Sequence, residues 1–242
     1  MPLQSLIRNA LSGLEAFCAP RHCEICGKSL EDVQSKFDFI CYSCWDALPP
    51  APLGEVSFNW LLEHTRLEDI AISRIYSLFS AKEDFKYMKL VYALKYYGFT
   101  HIGRQLGEAL GRQVVLQSDC KYECIIPVPI HRARQRERGF NQSEKIAEGI
   151  SNVLNIPVNN KTVRRLRYTT TQTILAKHER KTNLIGAFAP YSKSRVDNQS
   201  YARKNVLLVD DVLTTGSTLN NCAAALVEMG FARVDVATLA RA

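Results

Sequence analysis

The chain has 242 residues, 46% of them hydrophobic and 23% charged, with a formal net charge of +7 and a pI near 9.0. That length holds one large domain or a domain with a small appendage, and that apolar share excludes wholesale disorder. A mean hydropathy of -0.14 and the lack of any uncharged apolar run of about 18 residues exclude an ordinary transmembrane protein, and the absence of internal repeats excludes collagen-like or low-complexity architectures.

The positive charge is concentrated. Between Lys121 and Lys204 stand 17 basic and 6 acidic residues, a local balance of +11 that leaves −4 for the rest of the chain. A basic middle on an otherwise acidic chain points to an anionic partner: a phosphorylated small molecule, a nucleic acid or an anionic lipid.

At the start, Leu3, Ile7, Ala10, Leu14 and Phe17 recur at helical spacing. They predict an amphipathic helix packed on the protein or on a partner, with attachment to a membrane surface as the alternative. The segment lacks a cationic start, and Arg8 and Glu15 interrupt its apolar run, so it does not read as an export signal. The expected compartment is the cytoplasm, where disulfides are disfavoured.

Of eight cysteines, four form two Cys-x-x-Cys pairs, Cys23/Cys26 and Cys41/Cys44. A two-residue gap lets both thiolates of a tight knuckle face one metal, and Gly27 suits the turn that follows the first pair. Fourteen residues separate the pairs, enough for a hairpin that closes a tetrahedral site. Four thiolates with no open position describe a structural zinc site rather than a catalytic one. A redox reading needs one pair beside a βαβ unit, not two pairs flanking a hairpin. Cys18 is either a spare ligand or an ordinary thiol, while Cys120, Cys124 and Cys222 lack ligand spacing and read as small core residues. The prolines at 49, 50 and 52 end this segment, giving residues 1–52 as helix and zinc ribbon and 53–242 as a second domain.

In the second domain the pattern predicts a strand over 70–79, then helices over 82–97 and 102–117. Lys82, Lys86 and Lys89 share one face of the first helix. That face is either simply solvated or a polyanion contact aided by Tyr92, Tyr96 or Tyr97. A buried strand over 124–129 then runs into a polar loop holding Arg132, Arg134, Arg136 and Arg138, followed by Gly139, Asn141, Gln142 and a helix over 143–154. Arginine forks match phosphate oxygens, and a loop after a parallel strand is where α/β sheets bind ligands. The stretch from Thr162 to Asn183 is polar and basic, and reads as a long mobile loop over a site, with His178 on its surface.

The most informative segment runs from Val206 to Thr218. Val206-Leu207-Leu208-Val209 predicts a buried strand with Asp210 and Asp211 at its C-terminal end. Thr214, Thr215, Gly216, Ser217 and Thr218 then form a turn into a helix over 219–229, and a last buried strand covers 234–239. N–H groups and hydroxyls converging on a helix start make a phosphate site. Adjacent carboxylates accept hydrogen bonds from a vicinal diol, or hold Mg²⁺ through water. Together they describe a ribose 5-phosphate. Simple helix capping needs one Ser, Thr or Asp, far less than this pattern supplies.

Residues 206–218 resemble the phosphoribosyl-pyrophosphate signature of type I phosphoribosyltransferases. Taken with the four cysteines, Pro127-Val128-Pro129, Arg138-Gly139-Phe140-Asn141-Gln142 and the stretch from Gln172 to Asn183, the chain is similar to the ComF family of competence-associated, phosphoribosyltransferase-like bacterial proteins. The resemblance implies an α/β fold with a parallel sheet flanked by helices and a small N-terminal zinc ribbon of four cysteines. It implies that Asp210 and Asp211 contact the ribose and serve as catalytic residues in any transfer, that Thr214 to Thr218 hold the 5-phosphate, and that Arg132, Arg134, Arg136 and Arg138 meet the pyrophosphate. The region around Thr169–Asn183 would be the hood. One departure stands out: purine-salvage members carry an acidic residue where this chain has Thr214.

The resemblance implies two functions. The first is a protein of natural transformation that binds phosphoribosyl pyrophosphate and incoming single-stranded DNA in the cytoplasm, alone or with competence or recombination proteins. The second is a Mg²⁺-dependent phosphoribosyltransferase acting on an unidentified acceptor.

Overall fold

Val206-Leu207-Leu208-Val209 is apolar on both faces because both faces of its sheet are covered, the usual condition of a parallel sheet. The computed structural model describes residues 21–52, 54–82, 84–96, 98–166, 187–191 and 201–242, without the side chains of residues 55–57, 60 and 64. The helix expected between Leu3 and Phe17, Cys18, and the hood at Thr169–Asn183 with His178 lie outside the described residues. The chain divides into two compact units, Met1–Leu48 and Pro49–Ala242.

In the first unit, strands β1 (Ser35–Phe37) and β2 (Ile40–Cys41) pair antiparallel and lead directly into a short helix α1 (Tyr42–Asp46). Its apolar centre is small. Ile25, Phe39 and Ile40 are buried, Phe37 stacks on Phe39 at 5.6 Å, and Trp45 meets Phe37 edge-on at 5.1 Å.

The second unit is built on helix α2 (Gly54–His64), strand β3 (Arg74–Ser80), helices α3 (Met88–Tyr96) and α4 (Thr100–Gln117), and strand β4 (Cys124–Pro127). Helices α5 (Arg132–Arg138) and α6 (Gln142–Leu154) come next, then strands β5 (Val163–Arg165) and β6 (Phe188–Pro190). Strand β7 (Asn205–Leu213), helix α7 (Ser217–Glu228) and strand β8 (Arg233–Arg241) complete it. The sheet order is β3-β8-β7-β4, with every neighbouring pair parallel. Leu61 of α2, Val206, Leu208, Val234 and Val236 of the strands, and Leu219, Cys222 and Leu226 of α7 share one core. By strand alternation Leu207 and Val209 face the other side, where α6 packs on β7 and β4. There α4 and α6 meet at backbone distance: a Cβ on Gly107 would overlap the Ile146 carbonyl, and one on Gly149 would overlap that of Arg104. No helix among the described residues is long and apolar enough to cross a membrane.

Several elements differ from the sequence expectation. The strand expected over 70–79 starts only at Arg74: a 3-10 turn occupies Leu67–Asp69, and the Ala71 N–H is then taken by the Asn220 side chain at 2.9 Å instead of by a neighbouring strand. The helix expected from residue 82 begins at Phe85 as a 3-10 turn, since the Asp84 side chain accepts the Lys86 N–H at 3.0 Å and starts the helix there. The arginine-rich loop is a helix. His131 Nδ1 accepts the Ala133 N–H at 3.2 Å, Arg, Ala, Gln and Glu all favour helix, and Gly139 closes it in the left-handed region at φ 80. Within the long polar stretch, Val163–Arg165 pairs with Phe188–Pro190 as a two-stranded ribbon.

The strands of the sheet end at different heights. Strand β7 pairs with β8 out to Leu213, but with β4 only to Val209, where prolines at 127 and 129 end the partner. Asp210 and Asp211 therefore sit where β7 has outrun β4, in the crevice beyond the carboxyl ends of the strands.

Candidate functional site

In the first unit, the Sγ atoms of Cys23, Cys26, Cys41 and Cys44 all lie within 4.8 Å of one another, and Cys26 and Cys41 are 3.9 Å apart. Tetrahedral zinc with Zn–S near 2.3 Å sets its sulfurs roughly 3.8 Å apart, so the four thiols fit a structural zinc. The first knuckle is closed by Gly27 N–H donating to the Cys23 carbonyl at 2.8 Å, with Gly27 at φ 74. Burial raises the Cys23 thiol, yet hydrogen bonds from the backbone of Cys26, Cys41 and Ile25 outweigh it and bring the group down to about 7. Burial pushes Cys41 and Cys44 up. The Cys23 thiolate forms readily while Cys41 and Cys44 resist, and a shared cation would draw those two into the thiolate form. Elsewhere Cys222 is fully buried in the core as expected, and Cys120 and Cys124 are half-buried.

In the second unit the centre is the end of β7. Asp210 Oδ1 accepts hydrogen bonds from Ser143 Oγ at 2.8 Å and from the Asp211 N–H at 2.9 Å. Burial, followed by the charge of Asp211, pushes the Asp210 carboxyl up to about 7. Asp211 Oδ1 lies 3.0 Å from Lys95 Nζ.

Beyond Leu213 the chain turns sharply. Gly216 occupies the N-cap of α7 at φ 72 and has no side chain to cap the helix, leaving the Ser217 N–H a long contact of 3.5 Å to Thr215 Oγ1. A Cβ on Gly216 would come within 2.6 Å of Leu61 Cδ1, so the turn has neither the backbone freedom nor the space for another residue. Thr215 Oγ1 and Ser217 Oγ are hydrogen-bonded at 3.0 Å, Thr214 is exposed, and Ser217 and Thr218 are half-buried. Asn220, one turn along α7, holds the segment before β3 by accepting from Ala71 N–H at 2.9 Å and donating to Asp69 O at 2.7 Å. The helix start, with its amide groups and hydroxyls, suits an anion.

The arginines divide by face. Arg134 and Arg138 are half-buried, while Arg132 and Arg136 are exposed on the other side of α5. Asn141 fixes the entry to α6 by donating to Val128 O at 3.0 Å and accepting from Ser143 N–H at 3.2 Å. Three residues come to the site that the motifs do not indicate. Ser143 binds Asp210, Lys95 binds Asp211, and Arg165 of β5 stands over the Phe188 ring at 5.6 Å. Burial lowers the Arg165 guanidinium while Asp210 supports its charge and Arg134 opposes it, so these three charges act on one another. Ser143 comes directly after Asn141-Gln142, and that adjacency is its one local signal. Lys95 and Arg165 arrive by tertiary folding alone. The amide nitrogen of Gln142 is buried and has no partner among the described residues.

An acidic pair at a strand end, a glycine-capped helix start and an arginine helix whose Arg134 acts on Arg165 beside Asp210 make a chemistry that can bind a polyhydroxylated anion. Residues 142–242 match the family described as the phosphoribosyl transferase domain. The chain is 41% identical over 120 residues to Competence protein F of Haemophilus influenzae, covering 50% of this chain and 51% of that protein. It is 32% identical over 156 residues to DNA utilization protein YhgH of Salmonella typhi, covering 63% and 66%, and 30% identical over 112 residues to Competence protein ComFC of Bacillus subtilis, covering 46% and 40%. The chain thus spans about half the length of the Haemophilus relative. The fold is a phosphoribosyltransferase-like parallel sheet flanked by helices, with an N-terminal four-cysteine cluster consistent with a zinc ribbon. On these similarities the chain belongs to the ComF/YhgH family of competence proteins and carries a phosphoribosyltransferase domain.

Proposed function

We propose that this chain binds phosphoribosyl pyrophosphate with Mg²⁺ and acts in natural transformation by binding incoming single-stranded DNA in the cytoplasm. The observation that carries the ligand reading is the Asp210–Asp211 pair at the end of β7, set directly before the glycine-capped start of α7. Asp210 and Asp211 take the ribose hydroxyls. The amide groups and hydroxyls of Thr214 to Thr218 take the 5-phosphate, and Arg134 and Arg138 meet the pyrophosphate with Arg132 and Arg136 behind them.

Mg²⁺ suits this donor set. Two adjacent carboxylates are hard oxygen ligands; burial first, and the neighbouring charge of Asp211 second, hold the Asp210 carboxyl up, and Lys95 supplies part of the counter-charge. Asp210 and Asp211 would hold the ion through water, and the ion would neutralise pyrophosphate oxygens. The names of the relatives, competence protein and DNA utilization protein, support the DNA reading, as does the +11 balance of the chain's middle. Competence or recombination proteins are the partners this role suggests.

Calorimetric titration of the full chain with phosphoribosyl pyrophosphate and Mg²⁺ tests the ligand reading. One site per chain is expected, lost in Asp210→Asn/Asp211→Asn; a wild-type chain that takes up none of the ligand overturns it. Binding of single-stranded DNA should fall steeply with salt, and a flat or absent response removes that part.

A second reading, a Mg²⁺-dependent phosphoribosyltransferase on an unidentified acceptor, draws on the match over 142–242. Here Asp210 and Asp211 orient the ribose, while the arginines stabilise charge on the departing pyrophosphate. Thr214, exposed at the turn, supplies no carboxylate for handling a base proton. Pyrophosphate release across an acceptor panel, abolished in the double Asn variant, identifies a transferase. Ligand binding without release identifies a sensor.

A further inference from the structure

Helix α3 buries Met88, Leu90, Val91, Ala93 and Leu94 against the domain, so its opposite side is free to carry something else. That side is aromatic. Phe85 is 62% exposed, Tyr92 38% and Tyr96 65%. Tyr92 and Tyr96 are one turn apart on α3, and Phe85, in the 3-10 turn that leads into it, is brought into line by its ring contact with Tyr92. The rings form a row: Phe85 to Tyr92 at 6.1 Å, Tyr92 to Tyr96 at 6.1 Å, and then the Arg138 guanidinium over the Tyr96 ring at 5.4 Å. Lys82, Lys86 and Lys89 are exposed beside the row. Two acidic residues share this stretch of sequence, Glu83 and Asp84, and Asp84 pairs with Lys86 at 2.6 Å, so Lys82 and Lys89 carry most of the positive charge offered here.

We infer that the row Phe85–Tyr92–Tyr96, closed by Arg138, is the surface on which this protein stacks the bases of a single-stranded nucleic acid. The inference rests on the DNA-binding reading above and gives it a location. Exposed rings provide π-faces that accept any base, and the flanking lysines meet the backbone phosphates. The rings lie 6.1 Å apart and are tilted to one another by 54° and 31°, unlike the parallel ~3.4 Å repeat of a duplex, so a flexible single strand whose bases turn independently suits the row better than a closed duplex. Lysine is depleted in the cores of protein–protein interfaces and gathers in polyanion grooves, which favours a nucleic acid over a protein here. The row is also continuous with the phosphoribosyl site, because Arg138 belongs to the arginine helix and Lys95, next to Tyr96, reaches Asp211.

The test is fluorescence anisotropy of a labelled 20-nucleotide deoxythymidine strand on the full chain, at low and moderate salt. It compares wild type with Tyr92→Leu/Tyr96→Leu and Tyr92→Phe/Tyr96→Phe, each checked for an unchanged melting temperature. The leucine pair should bind roughly tenfold more weakly or worse, while the phenylalanine pair stays within about twofold of wild type, since stacking needs a ring and not a hydroxyl. If wild type binds with salt dependence and the leucine pair binds equally well, the row is not the surface, although DNA binding stands. Equal loss in both pairs overturns stacking as the mode of contact. If wild type binds no strand at all, the DNA reading fails and this surface with it.

Discussion

Lys95 Nζ stands 3.0 Å from Asp211 Oδ1, with only 20% and 14% of the two side chains exposed. A helix outside the nucleotide motif thus neutralises one of the two carboxylates expected to meet the ribose. Any ligand that engages Asp211 has to share it with Lys95 or displace it.

Removing that lysine leaves Asp211 without its ion-pair partner, beside a second carboxylate. Lys95→Met is expected to lower stability by about 1–3 kcal/mol, the range for stranding a partly buried charge. Added Mg²⁺ should then recover much of the loss, because an ion that binds only the folded state raises its melting temperature. Thermal unfolding with and without millimolar Mg²⁺ checks this. An equal response to Mg²⁺ in wild type and variant would mean that the ion does not take the place of Lys95.

The Asp210 carboxyl has its folded-state value raised to about 7 from 3.8. Between those values the folded chain holds a proton that the unfolded chain has lost. Its contribution to stability is therefore complete in acid and disappears as pH rises through about 7. Asp210→Asn keeps an acceptor for Ser143 and for the Asp211 N–H but carries no charge to desolvate. It should come close to wild type near about pH 4, exceed it progressively above that, and lead at pH 8 by on the order of 2–4 kcal/mol, while losing ligand binding. Denaturant melts at the two pH values give the comparison, and a variant less stable at pH 8 would contradict it.

The two faces of α5 lead to a ranking. Arg134 and Arg138 are half-buried, and Arg134 interacts with Arg165 beside Asp210. Arg134→Ala and Arg138→Ala should each weaken inorganic pyrophosphate binding about tenfold or more, as expected for charge-assisted contacts in a partly desolvated site. Arg132→Ala and Arg136→Ala should change it by less than about threefold. Titration of the four variants with pyrophosphate settles the order, and a larger loss at Arg132 or Arg136 reverses the assignment.

For the cysteine cluster, metal analysis should find about one zinc per chain. Cys23→Ser or a strong chelator should loosen the first unit while the second keeps its melting transition. Trp45, edge-on to Phe37 at 5.1 Å, reports on this directly. In a Trp60→Phe background its emission should shift to the red when the metal leaves. An unmoved spectrum after verified zinc loss would show that the small aromatic centre holds without the ion.

The parts of the fold legible in the sequence are those with local causes. Val206 to Val209 announces a doubly covered strand, Gly216 announces the left-handed turn, and two Cys-x-x-Cys pairs announce a four-thiol cluster. The arginine helix is obscured because its charge suggests a ligand loop, even though its residues favour helix and Gly139 marks its end. The far limit of β7 is hidden too. Asp210 and Asp211 are poor strand formers by themselves, and pairing with Thr238 and Ala240 carries the strand through them. Lys95 and Arg165 bear no local mark at all, since their meaning depends on residues more than 40 positions away along the chain.

Strand β7 continues past Val209 with β8 on one side and, among the described residues, no strand on the other. The floor beneath the two aspartates is thus stitched to the sheet along a single seam, and the wall around them draws on side chains from outside that sheet, Ser143 of α6, Lys95 of α3 and Arg165 of β5. A wall of that kind can be rewritten residue by residue without unpicking any strand. The architecture can hand the same anion to new chemistry, or to none, while its foundations stay as they are.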